Sequence, residues 1–423
     1  MTRVVVTGLG ILSANAHGLD EYEKALRDGR SGIRFYQKLK DLGFACCVGG
    51  IPQGVDEIKN NYFSPDALFA MNSNMIFAGI AAIDCWKDAG LPFTKPGESE
   101  IYWDTGAIVG TGIGGQDTSG EKLVPMVNAG KVRRMGSTMV EQTMSSAPSA
   151  WVGGCLGLGG QVSTNSSACT TGTEAIANAY FQIREGRAKR MLAGGTEGSS
   201  HYIWGSFDAM RVLSSKFNDT PEKASRPMSA SAAGFVPSSG AGLLMLESLE
   251  SAKARGARIY AEVLGAHVNC GGQRNGGTMT APNPEGVIRC IREAISLAKI
   301  SPDDIEVING HLTATMADPI EINNWHKALE RSPDKMPLIN STKSLIGHGL
   351  GAAGGIECDA CVLQLYKGFV HSSINCEDLH PQLEAYASRI VHKTIDRKFN
   401  ILAKASFGFG DVNGCLIFKK WEE

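Results

Sequence analysis

Three side chains far apart in the chain occupy settings that suit chemistry: one cysteine and two histidines. The segment Gln161-Val-Ser-Thr-Asn-Ser-Ser-Ala-Cys169-Thr-Thr-Gly-Thr-Glu-Ala-Ile-Ala runs from a strand pattern, through small residues, into a helix pattern. That puts Cys169 at or beside a helix N-terminus, where unpaired N–H groups and the positive end of the dipole stabilise a thiolate. Gly172 lets another backbone or a substrate come close. In Val307-Ile-Asn-Gly-His311 a histidine follows a strand; Thr313 and Thr315 come next at alternate positions, and Asp318, with Pro319 after it, can cap the next helix. A second histidine, His348, sits between glycines just before a small-residue helix. Taken singly, a cysteine is usually a buried small hydrophobe, and a histidine a satisfied core or surface residue.

Together they suit one reaction class. Loss of CO2 from a malonyl thioester leaves an enolate whose oxygen needs donors, and two neutral imidazoles can provide them beside a nucleophilic thiol. A metal could also use two histidines, but the nearby carboxylates lack ligand-like spacing. Lys343 precedes Glu357 in the same segment, and a buried pair of the two could brace the second histidine; the plainer alternative is a surface salt bridge. Near the end, Ala405-Ser-Phe407-Gly-Phe409-Gly-Asp-Val-Asn413 alternates glycine with phenylalanine. Such a loop can turn sharply, cover a pocket with its rings and offer N–H groups to an oxyanion. No Gly-Lys-Ser/Thr follows, so it is not a phosphate loop.

The elements that must position these residues are legible as short β-branched runs at Arg3–Thr7, Gly106–Gly110, Gln161–Thr164, Gly242–Leu246, Ile259–Val263, Val307–Ile308 and Cys415–Phe418. Helix-length periodic segments lie between many of them, as at Ile176, Ala179, Tyr180 and Ile183. The alternation predicts a layered α/β architecture. A charged, helix-prone stretch at Glu247–Ala257 marks a break into two unequal halves, 1-250 and 251-423. With 423 residues, 43% hydrophobic and 20% charged, the chain can bury a sizeable core. A net charge of −2 argues against a nucleic-acid binder, and no apolar run reaches membrane-spanning length. The N-terminus lacks a secretory pattern, and the 11 cysteines show no disulfide framework, which together predict a reducing cytoplasm. Cys358 and Cys361 form a C-x-x-C with no second ligand pair, so no metal is expected there.

The ordered segments VVVTGLGI, RDGRSGI ending at Ile33, SSACTTGTEAI around Cys169, FDAMRVLSSKFNDTPEKASRP at Phe207–Pro227, TKSLIGHGLGAAG at Thr342–Gly354 and SFGFG at Ser406–Gly410 resemble the β-ketoacyl-acyl carrier protein synthases, most closely the type I group, over nearly the whole chain. The resemblance implies an α/β, thiolase-like duplicated fold with five layers, α-β-α-β-α, and a dimer. It implies that Cys169 accepts an acyl group from an acyl carrier protein, and that His311 and His348 promote decarboxylation of malonyl-carrier protein. The backbone N–H groups of Cys169 and Phe409 would hold the oxyanion, with Lys343 and Glu357 in support and no cofactor or metal. Thr313 and Thr315 match positions that bind the pantetheine arm, and Ile113 one that shapes the acyl pocket. Thr280 and Phe407 fall among the substrate-binding positions, and Phe409 matches a gating ring.

Several residues depart from that pattern. Leu312-Thr-Ala-Thr replaces Gly-Thr-Ser-Thr, and Ala232-Ala replaces an Arg-Asp pair. Asp411 brings a carboxylate beside the gate. Asp66 and Phe69 stand where a basic pair is usual, leaving Lys131, Arg133 and Arg134 as the candidate patch for an acidic carrier protein. These changes spare the Cys/His/His set and point to a specialised substrate, such as a polyketide or polyene chain. The alternatives are a ketosynthase paired with a chain-length-factor-like subunit, a non-catalytic chain-length subunit, which characteristically lacks the cysteine, and a non-decarboxylating thiolase, which needs a second catalytic cysteine. Cys415 lies in an apolar strand pattern unsuited to that second role.

Overall fold

The computed structural model describes residues 1–93 and 99–422. Ten strands form the main path of its central sheet: Val4–Ser13 (β1), Thr105–Gly110 (β2), Val162–Ser163 (β3), Arg190–Glu197 (β4), Gly240–Ser248 (β5), Ala261–Cys270 (β6), Val307–Asn309 (β7), Leu338–Asn340 (β8), Ile401–Gly408 (β9) and Val412–Lys420 (β10). Most are buried on both faces, so they read as continuous apolar runs rather than as alternations. Each of the seven sequence-predicted runs overlaps one of these strands. The sequence left out β4, β8 and β9. Glycines interrupt the first, the second is three residues long, and a lysine interrupts the third.

The strand order is β8-β7-β9-β10-β6-β1-β5-β4-β2-β3. From β1 outward, β5 and β4 add antiparallel, then β2 and β3 add parallel. From β6 outward the pairing repeats: β10 and β9 antiparallel, then β7 and β8 parallel. The two halves are therefore one topology used twice. They join where Val4–Val6 of β1 pairs with Val263–Ala261 of β6.

Helices complete five layers. Ser73–Asp88 (α1) and Ala147–Leu156 (α2) cover the outer face of the first half. Thr171–Arg184 (α3) and Ala353–Lys367 (α6) lie between the halves and touch strands of both. Pro284–Ala298 (α4) covers the second half, with Asp318–Leu329 (α5) packed on it. Sequence explains the placement: α4 buries Val287, Ile291, Ala294 and Ile295 on one face, whereas α6 is buried all round from Ala353 to Leu365. Among the described residues no helix is long and apolar enough to cross a membrane.

The two central helices meet backbone to backbone. A Cβ on Gly172 would lie 2.6 Å from the Gly355 nitrogen, and one on Gly355 would lie 2.1 Å from the Gly242 carbonyl oxygen. Small residues there bring the segment carrying Cys169 against the segment that follows His348. Gly355→Ala should therefore lower stability by about 1–3 kcal/mol or more through overpacking, read as a lower midpoint in chemical denaturation.

Candidate active site

Cys169 lies in a short 3₁₀ turn, Ala168–Thr170, that runs directly into α3. Ala168 adopts φ 50°, a left-handed conformation that costs a residue with a side chain. Thr171 holds the turn: its hydroxyl accepts from the Ser167 N–H at 2.8 Å and donates to the Ala168 carbonyl at 2.7 Å. The strained turn presents the sulfur at the start of the helix. Burial nevertheless pushes the thiol up to about 11, against the pull of the Lys343 charge and the Phe409 N–H. Burial outweighs the attraction of Lys343 and the Phe409 N–H, and the resting group is a thiol.

His311 follows β7, and His348 precedes the turn into α6. The Cys169 sulfur and one ring nitrogen of each histidine lie within 4.8 Å of one another. The rings meet edge to face, with centroids 5.3 Å apart. Burial, followed by the charge of Lys343, holds both imidazoles well below their ordinary range, so both are neutral. Behind each ring stands a donor. The Leu350 N–H reaches Nδ1 of His348 at 3.2 Å, and the Lys343 ammonium lies 3.5 Å from Nδ1 of His311. With Nδ1 accepting, each neutral ring carries its proton on Nε2.

This donor set disfavours a metal. A metal-bound histidine donates its other N–H to an acceptor; here the groups behind the rings are themselves donors. The two rings instead offer N–H groups to an oxygen that gains charge.

Lys343 and Glu357 form a fully buried ion pair, and Lys404 of β9 binds the other carboxylate oxygen of Glu357 at 2.8 Å. The sequence reading gave this pair to the second histidine. In the fold Lys343 stands behind His311, and His348 is fixed by backbone. Asp318 does not cap α5 either. Its carboxylate accepts the N–H groups of Thr313, Ala314 and Met228, while Glu321 accepts those of His311 and Leu312. Burial raises these acids to about 6 and about 7 respectively. Together they hold Leu312 at φ 22° and Ala314 at φ 63°, conformations that glycine would adopt without strain.

The phenylalanine loop closes over the nucleophile turn: a Cβ on Gly408 would lie 2.8 Å from the Ser167 carbonyl oxygen. Phe407 packs edge to face on His311, centroids 6.0 Å apart. Phe409 contacts Phe207, which contacts Phe235, which contacts His348, so a chain of rings joins the loop to the second histidine. Thr313 and Thr315 lie just beyond His311, their hydroxyls 3.0 Å apart. Ile113 is partly exposed beside the nucleophile loop, where Ser166 donates to the Gly112 carbonyl. Thr280 is exposed on a neighbouring loop, tied to the gate by the Gly410 N–H on the Met279 carbonyl at 2.7 Å. Asp411 turns away from the cleft and is buried; its carboxylate accepts the N–H groups of Gln273 and Asn283 in that loop. Lys131, Arg133 and Arg134 are exposed on one turn.

Sequence reasoning passed over Lys404, Glu321 and Glu197. The last is buried at the end of β4, where its carboxylate accepts from Gly112, Ile113, the Thr111 hydroxyl and Gly351. It ties the loop beside Cys169 to the turn after His348. The available signal was a charged residue inside an otherwise apolar strand pattern, present for Lys404; Glu197 ends a strand that also opens on Arg190 and gave no such signal.

Residues 1–252 match the family described as "Beta-ketoacyl synthase, N-terminal domain", and residues 260–377 match "Beta-ketoacyl synthase, C-terminal domain". The chain is 36% identical over 423 residues to 3-oxoacyl-[acyl-carrier-protein] synthase 1 of Escherichia coli, covering 100% of each. It is 34% identical to 3-oxoacyl-[acyl-carrier-protein] synthase 2 of Vibrio harveyi, covering 100% of this chain and 99% of that one. Similar solved structures include the ishigamide ketosynthase/chain length factor, with TM-score 0.88, 28% identity and 100% of each chain covered. Another is a type II PKS acyl-carrier protein in complex with its ketosynthase, with TM-score 0.86, 29% identity, and 99% and 100% of the chains covered.

The raised thiol makes alkylation a direct check. Iodoacetamide modification of Cys169, followed by peptide mass spectrometry, should accelerate steadily with pH and level off only near about 11, rather than near the ordinary thiol value of 9.0. Levelling off below neutrality would contradict the burial argument.

Proposed function

The chain belongs to the β-ketoacyl synthase family, and on that premise we propose that it performs decarboxylative Claisen condensation, extending an acyl chain carried on Cys169 by two carbons from malonyl-acyl carrier protein. The observation that carries the assignment of roles is the meeting of one thiol with two neutral imidazoles, each backed by a donor. The enzyme is an acyltransferase. In the first half-reaction the Cys169 sulfur attacks the carrier-bound thioester, and its proton leaves with the departing carrier thiol. The oxyanion lies against the N–H groups of Cys169 and Phe409. In the second half-reaction the malonyl carboxylate departs as CO2, and the Nε2–H groups of His311 and His348 hold the enolate oxygen. The enolate carbon attacks the acyl-Cys carbonyl, and collapse returns the cysteine sulfur, which regains a proton from solvent. CO2 release supplies the driving force, so the reaction needs no cofactor. Prepaid orientation of the donors supplies much of the rate.

On this reading residues 1-250 carry the nucleophile, and residues 251-423 carry both histidines and the gating loop. The duplicated topology supports that division. Thr313, Thr315 and Thr280 flank the approach of the pantetheine arm, and Ile113 borders the acyl pocket. Lys131, Arg133 and Arg134 face the acidic carrier.

The open sheet edge supports pairing with a second subunit, either a copy of this chain or a chain-length-factor-like relative. Strand β3 pairs only with β2 among the described residues, whereas β8 at the other end is followed by an Ile339–Ile390 bridge. Eleven free thiols suit a reducing cytoplasm. Cys169 argues against the non-catalytic subunit. Cys415, buried within β10, argues against a thiolase.

The test is mass spectrometry with a panel of acyl-carrier proteins plus malonyl-carrier protein. Cys169→Ala should abolish acyl transfer. His311→Ala should keep acylation but lose condensation and CO2 release by roughly 10²–10³-fold, the usual effect of removing one oxyanion donor. Condensation without CO2 release would overturn the reading in favour of a thiolase.

A further inference from the structure

Lys404 is buried with no exposed surface, in the middle of a strand whose other residues are apolar or small. Taking an ammonium out of water costs several kcal/mol unless fixed partners replace its hydration. Its partners are few and specific: Glu357 Oε2 at 2.8 Å, the Ala405 carbonyl, and the Ser406 hydroxyl at 3.1 Å. Ser406 in turn bonds Thr173, one turn of helix beyond Cys169. The remaining carboxylate oxygen of Glu357 binds Lys343, whose ammonium faces Nδ1 of His311. The result is an alternating line of charge, Lys404–Glu357–Lys343, that ends on an imidazole.

Two ammonium groups share one carboxylate, and that count matters. If Glu357 had Lys343 as its sole partner, both its oxygens would draw on the same ammonium and pull it from the ring. With the Lys404 charge held on one oxygen as an ion pair without a hydrogen bond, Lys343 is left with a single carboxylate contact and a free N–H direction towards His311.

We propose that Lys404 is a positioning residue for condensation: by occupying the second oxygen of Glu357 it holds Lys343 against His311 and so keeps that imidazole a donor on Nε2. The opposite directions of the two lysines agree with this division. Burial lowers Lys343; at Lys404 burial is the largest single influence, but Glu357 together with the nearby Cys358 and Cys361 outweighs it and raises the group. The inference rests on the reading that His311 serves the decarboxylation half-reaction. It therefore predicts a split between the two half-reactions that a merely structural lysine would not produce.

Lys404→Met keeps the volume and leaves a neutral Lys343–Glu357 pair, so the fold should survive. In that variant, acylation of Cys169 should stay near the wild-type rate while CO2 release and condensation from the acyl-enzyme fall roughly 10- to 100-fold, as misplacement of a catalytic group does. In Lys404→Ala, methylammonium should restore condensation, and tetramethylammonium at equal ionic strength should not. A Lys404→Met enzyme that keeps both half-reactions overturns the proposal. So does one that loses both in equal proportion while methylammonium fails to separate them in Lys404→Ala. Failure of the wild-type enzyme to acylate Cys169 or release CO2 would instead strike at the proposed function, which the same assays report separately.

Discussion

The N–H of Leu350 and the ammonium of Lys343, each set behind an imidazole, decide what the two histidines can do. A neutral imidazole is a donor at one nitrogen and an acceptor at the other, and the partner of one end fixes the role of the other. With donors behind both rings, both present N–H groups to the space beside Cys169. The rings would otherwise be free to act as bases or ligands. The surrounding core enforces this, because burial and the nearby lysine charges keep both rings neutral.

Holding that arrangement requires charges in the interior, and the fold places them in matched sets. Glu357 is shared by two lysines, Glu321 and Asp318 accept the backbone N–H groups of the His311 turn, and Glu197 gathers the loop beside Cys169. Glu357, Asp318 and Glu197 each bind segments from different parts of the chain, while Glu321 holds the turn just before its own helix. A buried charge left without such partners would cost more than the contacts around it return. The active centre is therefore fixed by electrostatic clamps, while the glycine contact of α3 with α6 brings the helices close enough for them to reach.

The departures from the family pattern acquire physical meaning in this setting. Leu312 stands in a conformation suited to glycine, yet its side chain is buried and the Glu321 clamp holds its backbone. The sequence sets the Asp411 carboxylate beside the gate; in the fold it faces the neighbouring loop instead, and Gly271 and Gly277 leave room for it. Where an Arg-Asp pair is usual at Ala232-Ala, Arg226 reaches Asp378 at 2.8 Å and Glu377 at 3.0 Å, so the segment is braced from another direction.

Local chemistry alone determined a good part of this protein. Apolar β-branched runs such as Val4–Val6 favour strands, small residues around Cys169 mark a strand-to-helix turn, and glycines beside Phe409 mark a loop that can bend sharply. The set of Cys169, His311 and His348 was legible because each sits at a turn flanked by glycine or small residues. Tertiary structure decided what stands behind each group. Nothing in the spacing of Lys343 and Glu357 says which histidine they serve, or that Lys404 joins them from another strand, because those contacts arise only when β9 is laid against α6. The same holds for the thiol of Cys169: a helix N-terminus is visible in sequence, but the burial that raises the thiol exists only in the folded chain.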